Sequence, residues 1–197
     1  MSEQNNDFVL DRRQKMGNET KHAFEVKSHK HCNINEEDLI DAAKFAIMEA
    51  SEWDDAIIAL QKYGARFECQ ICVLLMYSIE LYLKAIIMTK GIGISEKLKT
   101  HKVKELFNYL DESEQQIIKE GANLPIIDFG GFDGEEYIRI DSFESALDFI
   151  SNDFINLRYQ FEKYVFGEPI YFLNKFVFKL RDDLKNIAKS TVYPEES

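Results

Sequence analysis

The chain has 197 residues and a formal net charge of −11 at pH 7. That is the length of one domain, which buries enough apolar surface to fold without a disulfide or a metal. Fifteen Phe and nine Tyr exclude a largely disordered chain. The acidic balance excludes non-specific coating of nucleic acid.

The N-terminus and the most apolar stretch indicate the cellular setting. The first residues contain no apolar run long enough for a signal peptide, so we expect a cytoplasmic protein with free cysteines. The stretch from Ile71 to Met88 is nearly as long as a membrane span. It contains Glu80 and Lys84, and each would cost about 2.5–3.5 kcal/mol at the centre of a bilayer. We therefore predict a soluble core helix and no contact with a membrane.

Apolar periodicity divides the chain into three parts. Residues 1–34 are polar and aperiodic, which predicts a mobile polar tail. Residues 35–190 carry all the periodic segments and are expected to form a single helical-bundle domain. Residues 191–197 are expected to form a C-terminal tail.

The first helix is expected to begin after Asn35, a residue type that caps helix N-termini. Apolar residues then recur at alternating steps of four and three over about 26 residues, which predicts one buried seam. That seam consists of Leu39, Ala43, Ala46, Ala50, Trp53, Ile57 and Leu60.

The second helix, at about residues 65–90, is expected to lie at the centre of the fold. Every residue from Ile71 to Met76 is apolar, so most sides of this helix must be covered. Glu80 and Lys84 stand at i, i+4, which favours an ion pair within the bundle.

Shorter elements follow. We predict two short helices at about 103–110 and 113–120, with Thr100 capping the first and Asp111 with Glu114 forming a capping box on the second. Two apolar runs around a Gly-rich turn, over residues 122–141, predict a small hairpin.

Two more long helices complete the pattern. Asp141 and Glu144 are expected to open a helix that reaches about Tyr164, and Pro169 is expected to open the last one. The predicted fold is therefore all-α: an antiparallel bundle of four long helices with short accessory helices and the small hairpin insertion.

Two short motifs resemble functional motifs but are not predicted to carry a function here. Cys69 and Cys72 form a C-x-x-C, and the tail residues His29, His31 and Cys32 would have to complete a zinc site. No strand precedes this motif, so we interpret the cysteines as packed side chains and expect no metal and no cofactor. The tripeptide Asp128-Phe129-Gly130 occurs in kinases, but none of the other kinase motifs accompanies it.

Three segments considered together resemble a prokaryotic HEPN-domain protein. They are the helical segment from Leu74 to Ala85, the segment from Thr100 to Leu106, and the segment from Asn156 to Glu162. The resemblance covers about residues 36–188. It implies a helical bundle that pairs as a homodimer, often a metal-independent ribonuclease of toxin–antitoxin or phage-defence systems.

The resemblance also implies a site. In the family an Arg is followed four to six residues later by a His; the Arg stabilises charge on the phosphate and the His moves the proton. Arg158 matches that Arg, whereas the His positions hold Lys163, Tyr164 and Val165. We therefore name Arg158 and His101 as catalytic candidates, and Arg158, Tyr159 and Lys163 as RNA-binding candidates.

Two functions remain open at this point. The first is an RNA-directed HEPN-like protein whose ribonuclease activity is weak, degenerate or dependent on a partner, such as a nucleotidyltransferase or an antitoxin-type protein. The second is a non-enzymatic helical adaptor that binds another protein through its acidic, aromatic-rich surface. For Arg158, His101 and the Glu80–Lys84 pair, a purely structural role is the alternative interpretation.

Overall fold

The structure, a computed structural model, describes residues 35–63, 67–93, 96–122, 124, 127–129, 138–158 and 173–194. Helices account for 81% of these residues, which confirms the all-α fold class. The α-helices are α1 (Glu36–Gln61), α2 (Glu68–Thr89), α3 (Val103–Phe107), α4 (Glu112–Gly121), α5 (Phe143–Arg158) and α6 (Asn174–Val192). A 3-10 turn at Glu96–Lys99 precedes α3.

The predicted hairpin is present as two short antiparallel strands, β1 (Ile127–Phe129) and β2 (Ile138–Ile140). Ile127 pairs with Ile140 and Phe129 with Ile138. The Gly-rich turn predicted between them lies outside the described residues. The first two residues of the kinase-like tripeptide, Asp128 and Phe129, lie in β1 and have a structural role as strand residues.

Helix α2 lies at the centre of the bundle, as its sequence predicted. It packs against α1, α3, α5 and α6. The segment Gln70–Thr89 is long and apolar enough to cross a membrane, but 72% of its most apolar window is buried inside the fold. This burial is typical of the core helix of a soluble protein. The helix is followed by Gly91, whose φ of 75° is a left-handed conformation that glycine adopts without strain.

Helix α1 begins as predicted, because the Asn35 side-chain oxygen accepts a hydrogen bond of 2.7 Å from the backbone N–H of Asp38. One position in its predicted seam is wrong. Trp53 is 36% exposed, and its neighbour Asp54 is buried at 2% exposure. Asp54 follows Ala50 by four residues and precedes Ile57 by three, so the helical repeat places it on the buried face.

The caps of the later helices are partly as predicted. The capping box of Asp111 and Glu114 on α4 is confirmed. The predicted Thr100 cap of α3 is wrong in its position, because Lys102 directly precedes that helix; the Thr100 hydroxyl instead accepts the Lys102 N–H at 3.1 Å.

Helix α5 is capped one residue later than predicted. Ser142 and Ser145 exchange side-chain to backbone hydrogen bonds, each of 3.1 Å. The predicted partners, Asp141 and Glu144, do not form the cap. The Glu144 carboxylate instead pairs with the Lys119 ammonium at 3.0 Å.

The last helix differs from the prediction at both ends. Helix α6 begins at Asn174, so Pro169 does not occupy its first turn. It continues to Val192, whose side chain is buried, so its last two residues fall within the C-terminal tail predicted for residues 191–197. The tail predicted for residues 1–34, the end of α5 predicted near Tyr164 and Pro169 itself lie outside the described residues.

Candidate functional site

A buried carboxylate on α2 is the centre of the first candidate site. Glu80 is 4% exposed. Its Oε1 accepts a hydrogen bond of 2.6 Å from the Nζ of Lys84, one turn later on the same helix. The predicted ion pair is therefore present. A buried carboxylate is costly unless its charge is paired, and Lys84 supplies one such partner.

His101 supplies the second partner. Its Nδ1 lies 3.0 Å from each of the two carboxylate oxygens of Glu80, and its side chain is 48% exposed. The segment that carries it is held by Thr100, which accepts the Lys102 N–H and donates to the Glu105 carboxylate at 2.9 Å. The structure thus brings together His101 and Glu80, which are 21 residues apart in sequence.

This geometry fixes the orientation of the imidazole. An Nδ1–H that donates to a carboxylate leaves the lone pair on Nε2 of the neutral ring. Nε2 of His101 makes no hydrogen bond to any residue that the structure describes. An oriented, half-exposed histidine of this kind can act as a general base or acid.

The path of α5 relates Arg158 to this histidine. The ring of Phe143 lies 5.2 Å from that of Phe107 at the end of α3, whereas Ser151, later on α5, accepts the backbone N–H of Lys104 near the start of α3. The two helices therefore run in opposite directions, and α5 continues past the start of α3, where His101 lies. Arg158 is the last residue of α5, about 10.5 Å along the axis from Ser151.

The remaining predicted site residues are not brought together by the described structure. Tyr159 and Lys163 lie outside the described residues, and of Arg158 only the backbone position is described. The Cys72 side chain is buried. His29, His31 and Cys32 also lie outside, and within the described part of the chain no three His, Cys, Asp or Glu side chains form a group that could hold a metal ion.

No protein-family model, curated protein or solved structure matches this chain. The resemblance to HEPN-domain proteins therefore rests on the sequence segments quoted above alone, and the contacts of the site have to support any function on their own.

A second buried charge cluster, centred on Asp54, was not predicted from the sequence pattern. The Oδ2 of Asp54 accepts hydrogen bonds from the hydroxyl of Tyr82 at 2.8 Å and from the Nζ of Lys185 at 2.7 Å. Its Oδ1 lies 2.8 Å from an Nη of Arg181. One carboxylate thus joins α1, α2 and α6.

The ionisation of this cluster follows from its contacts. Burial alone would raise the pKa of the Asp54 carboxyl, but the hydrogen bonds from Lys185, Arg181 and Tyr82 outweigh it and hold that pKa below its ordinary value. Burial, together with the hydrogen bond to this carboxylate, raises the pKa of the Tyr82 phenol. The phenol therefore stays protonated and acts as a donor. The partners of Asp54 in the described part of the chain all lie on packed helices, so the cluster is a structural tie between these helices.

Proposed function

We propose that this protein is HEPN-like and acts on RNA, with His101 as its proton-carrying group. The observation that supports the proposal is the position of the His101 Nδ1, 3.0 Å from both oxygens of the buried Glu80 carboxylate. This chain lacks the His that the family pattern has after Arg158, and His101 would supply an imidazole from another part of the chain.

The proposed chemistry is cleavage of an RNA phosphodiester without a metal. Nε2 of His101 removes the proton from a ribose 2′-hydroxyl, whose oxygen attacks the adjacent phosphorus. The bond from phosphorus to the 5′-oxygen breaks, that oxygen takes a proton from water, and His101 returns the proton it removed to the solvent. The products are a 2′,3′-cyclic phosphate and a 5′-hydroxyl. Arg158 is proposed to stabilise the charge on the phosphate.

The biological setting is proposed from the same resemblance. A homodimer that pairs around the sequence segment Phe154–Phe161 would place two copies of Arg158 near one another. Because the His is displaced from the family position and the body is acidic, we expect weak or partner-dependent activity in toxin–antitoxin or phage-defence biology, in the cytoplasm. A nucleotidyltransferase or antitoxin-type protein is the proposed partner.

A ribonuclease assay tests the proposal. End-labelled single-stranded RNA is incubated with protein in EDTA, and the products are examined for a 2′,3′-cyclic phosphate. We expect slow cleavage by the wild type and a loss of about 10²–10⁴-fold in His101→Gln, the range for general acid–base catalysis. Glu80→Gln should also reduce the rate, because the imidazole then loses the carboxylate that orients it and fixes its tautomer.

Two controls separate the site from the fold. His22→Gln changes a histidine far from His101 in sequence and should cleave like the wild type, and circular dichroism should give the same spectrum for all variants. If His101→Gln cleaves RNA as fast as the wild type, the proposed role of His101 is wrong. If the wild type neither cleaves nor binds RNA, the adaptor function, favoured by the acidic balance of the chain, replaces the proposal.

A further inference from the structure

Lysines are concentrated around His101. The chain as a whole carries a net charge of −11, yet residues 97–104 include four lysines and no Asp or Glu. Lys99 and Lys102, on either side of the histidine in sequence, are exposed, whereas Lys104 forms an ion pair with a carboxylate of α5. Local positive charge of this kind attracts the phosphates of a nucleic acid even to a protein that is acidic overall.

Lys84 adds an ammonium beside the histidine itself. Its Nζ lies 2.6 Å from the Oε1 of Glu80, and the Nδ1 of His101 lies 3.0 Å from the same oxygen. The two nitrogens are therefore no further apart than the sum of these distances. An ammonium has three N–H groups, and two of those on Lys84 donate to no residue that the structure describes. The side chain is 18% exposed, so a ligand at the surface can contact it.

We propose that three lysines bind the backbone of the RNA, with Lys84 at the phosphate that is cleaved and Lys99 and Lys102 at neighbouring phosphates. We name them the basic surface. The inference rests on the proposed function, because it assigns further roles within the same site. The Lys84 ammonium neutralises the charge that develops on the non-bridging oxygens while Nε2 of His101 takes the proton, and it thereby supplements Arg158.

One carboxylate holds the ammonium and the imidazole in place. Glu80 is buried and contacts both Lys84 and His101, so the two groups keep a fixed relation before RNA binds. Charged groups that are positioned in advance stabilise a transition state without reorganising at the moment of reaction.

The ion pair of Lys102 does not prevent it from binding a phosphate. Its Nζ lies 2.9 Å from the Glu105 carboxylate, and both side chains are about half exposed. Such an exposed pair contributes about 0–1 kcal/mol. Glu105 also accepts a hydrogen bond of 2.9 Å from the Thr100 hydroxyl, so it keeps a donor when Lys102 turns to a phosphate.

The neighbouring imidazole favours RNA over an acidic protein segment. Both ligands carry negative groups that pair with lysines. Only RNA also offers a 2′-hydroxyl to the Nε2 of His101, which makes no hydrogen bond to any residue that the structure describes.

The salt dependence of RNA binding tests the basic surface. The probe is a fluorescein-labelled oligouridine with 2′-O-methyl groups, which cannot be cleaved because its 2′-oxygens are blocked. Its dissociation constant is measured by fluorescence anisotropy over a range of salt concentrations. Each phosphate contact of a single strand contributes about 0.7 to the slope of log K against log salt. Lys84→Gln, Lys99→Gln and Lys102→Gln should therefore each reduce the slope by about 0.7, whereas Lys84→Arg keeps the charge and should keep the wild-type slope.

The matched control removes a lysine on the other side of α2. Lys189 is exposed on α6, and α6 meets α2 through the cluster of Asp54 and Tyr82. Tyr82 points about 160° away from Glu80 around the axis of α2. Lys189→Gln therefore changes the net charge by the same amount away from the site, and its salt slope should equal that of the wild type.

Cleavage kinetics distinguish Lys84 from the other two lysines. Lys99→Gln and Lys102→Gln should raise KM more than they lower kcat, because their contacts are the same in the substrate and in the transition state. Lys84→Gln should lower kcat by about 10²-fold, as when one group that stabilises transition-state charge is removed, and Lys84→Arg should recover most of that loss. If Lys84 only neutralised Glu80, the salt slope of Lys84→Gln would equal that of the wild type.

The outcomes separate this inference from the proposed function. Wild-type salt slopes in all three glutamine variants, with cleavage still dependent on His101, would overturn the inference and leave the proposed function intact. An equal reduction of the slope in Lys189→Gln would also overturn it, since binding would then reflect net charge alone. A wild type that neither binds nor cleaves RNA would overturn both, and binding of an oligoglutamate peptide that depends on Lys99 and Lys102 would then assign the basic surface to an acidic protein partner.

Discussion

Replacing the buried carboxylate of Asp54 should destabilise the protein strongly. Asp54→Asn keeps the shape of the side chain and one acceptor oxygen, but it removes the charge that faces Lys185 and Arg181. Removing one partner of a buried ion pair costs about 3–5 kcal/mol. Lys185 is 28% exposed at its side chain and can turn towards water, so we expect the lower end, about 3 kcal/mol. In a domain of this size that lowers Tm by about 6–12 °C.

The neighbouring residue provides the control. Asp55 is exposed, whereas Asp54 is buried. Asp55→Asn therefore removes the same charge at almost the same place and should change the free energy of unfolding by less than about 0.5 kcal/mol. Thermal and urea unfolding of both variants, followed by circular dichroism, measures the difference. Equal Tm values for the two variants would refute the role assigned to the cluster.

The pH dependence gives a second check on the same residue. The folded pKa of Asp54 lies below its ordinary value, so its charge stabilises the fold fully above the unfolded pKa of about 3.9. As the pH falls through the folded pKa, the wild type takes up the proton and loses that contribution. The stability difference between the wild type and Asp54→Asn should therefore shrink below about pH 4. A difference that stays constant down to pH 2 would contradict the lowered pKa.

Two further predictions concern a helix start and the metal content. Ser151→Ala removes the buried hydroxyl that accepts the Lys104 N–H at 3.1 Å, and should lower the free energy of unfolding in urea by about 1–2 kcal/mol. Asn152→Ala, at the exposed next position, is the control. An equal loss of stability in Asn152→Ala would contradict the role assigned to Ser151. Protein purified without chelator should contain far less than one zinc per chain by elemental analysis, because Cys72 is buried in a helix; stoichiometric zinc would instead indicate a site made by His29, His31, Cys32, Cys69 and Cys72.

Features set by neighbouring residues were predictable from the sequence. Asn35 and the Asp111–Glu114 box act within one helical turn, so their spacing is sufficient to predict them. The cap of α5 shows the limit of this reasoning. Asp141 with Glu144 and Ser142 with Ser145 have the same spacing one residue apart, and spacing alone does not distinguish them. The serine pair forms the cap in the structure.

The error at Trp53 has a different physical cause. An apolar pattern assigns the larger hydrophobic residue to the core, and so it favoured Trp53 over Asp54. The helical repeat places Asp54 inside, where two cations from α6 compensate its charge. Those cations are more than a hundred residues later in the chain, and a pattern within α1 contains no information about them.

The candidate site likewise contains one contact that the sequence predicts and one that it does not. The pair of Glu80 and Lys84 was predicted because both residues lie on one helix at i, i+4. The contact of His101 with Glu80 depends on how the chain turns back after Gly91 through the 3-10 turn. Sequence spacing across such a connection does not fix a distance, so the sequence identified His101 as a candidate without identifying its partner.

The link between Asp54 and Lys185 also has a consequence for synthesis of the protein. The two residues are 131 positions apart, and α6 is the last described helix to leave the ribosome. Until it emerges, α1 and α2 can associate through their apolar faces, but the carboxylate between them lacks both of its cations. In such a nascent helical hairpin, burial of the unpaired Asp54 carboxylate would cost free energy, so we expect Asp54 to stay in contact with water. Arrival of α6 therefore completes both the packing and the charge balance of the core, so ribosome-bound chains that end before Arg181 should remain sensitive to protease.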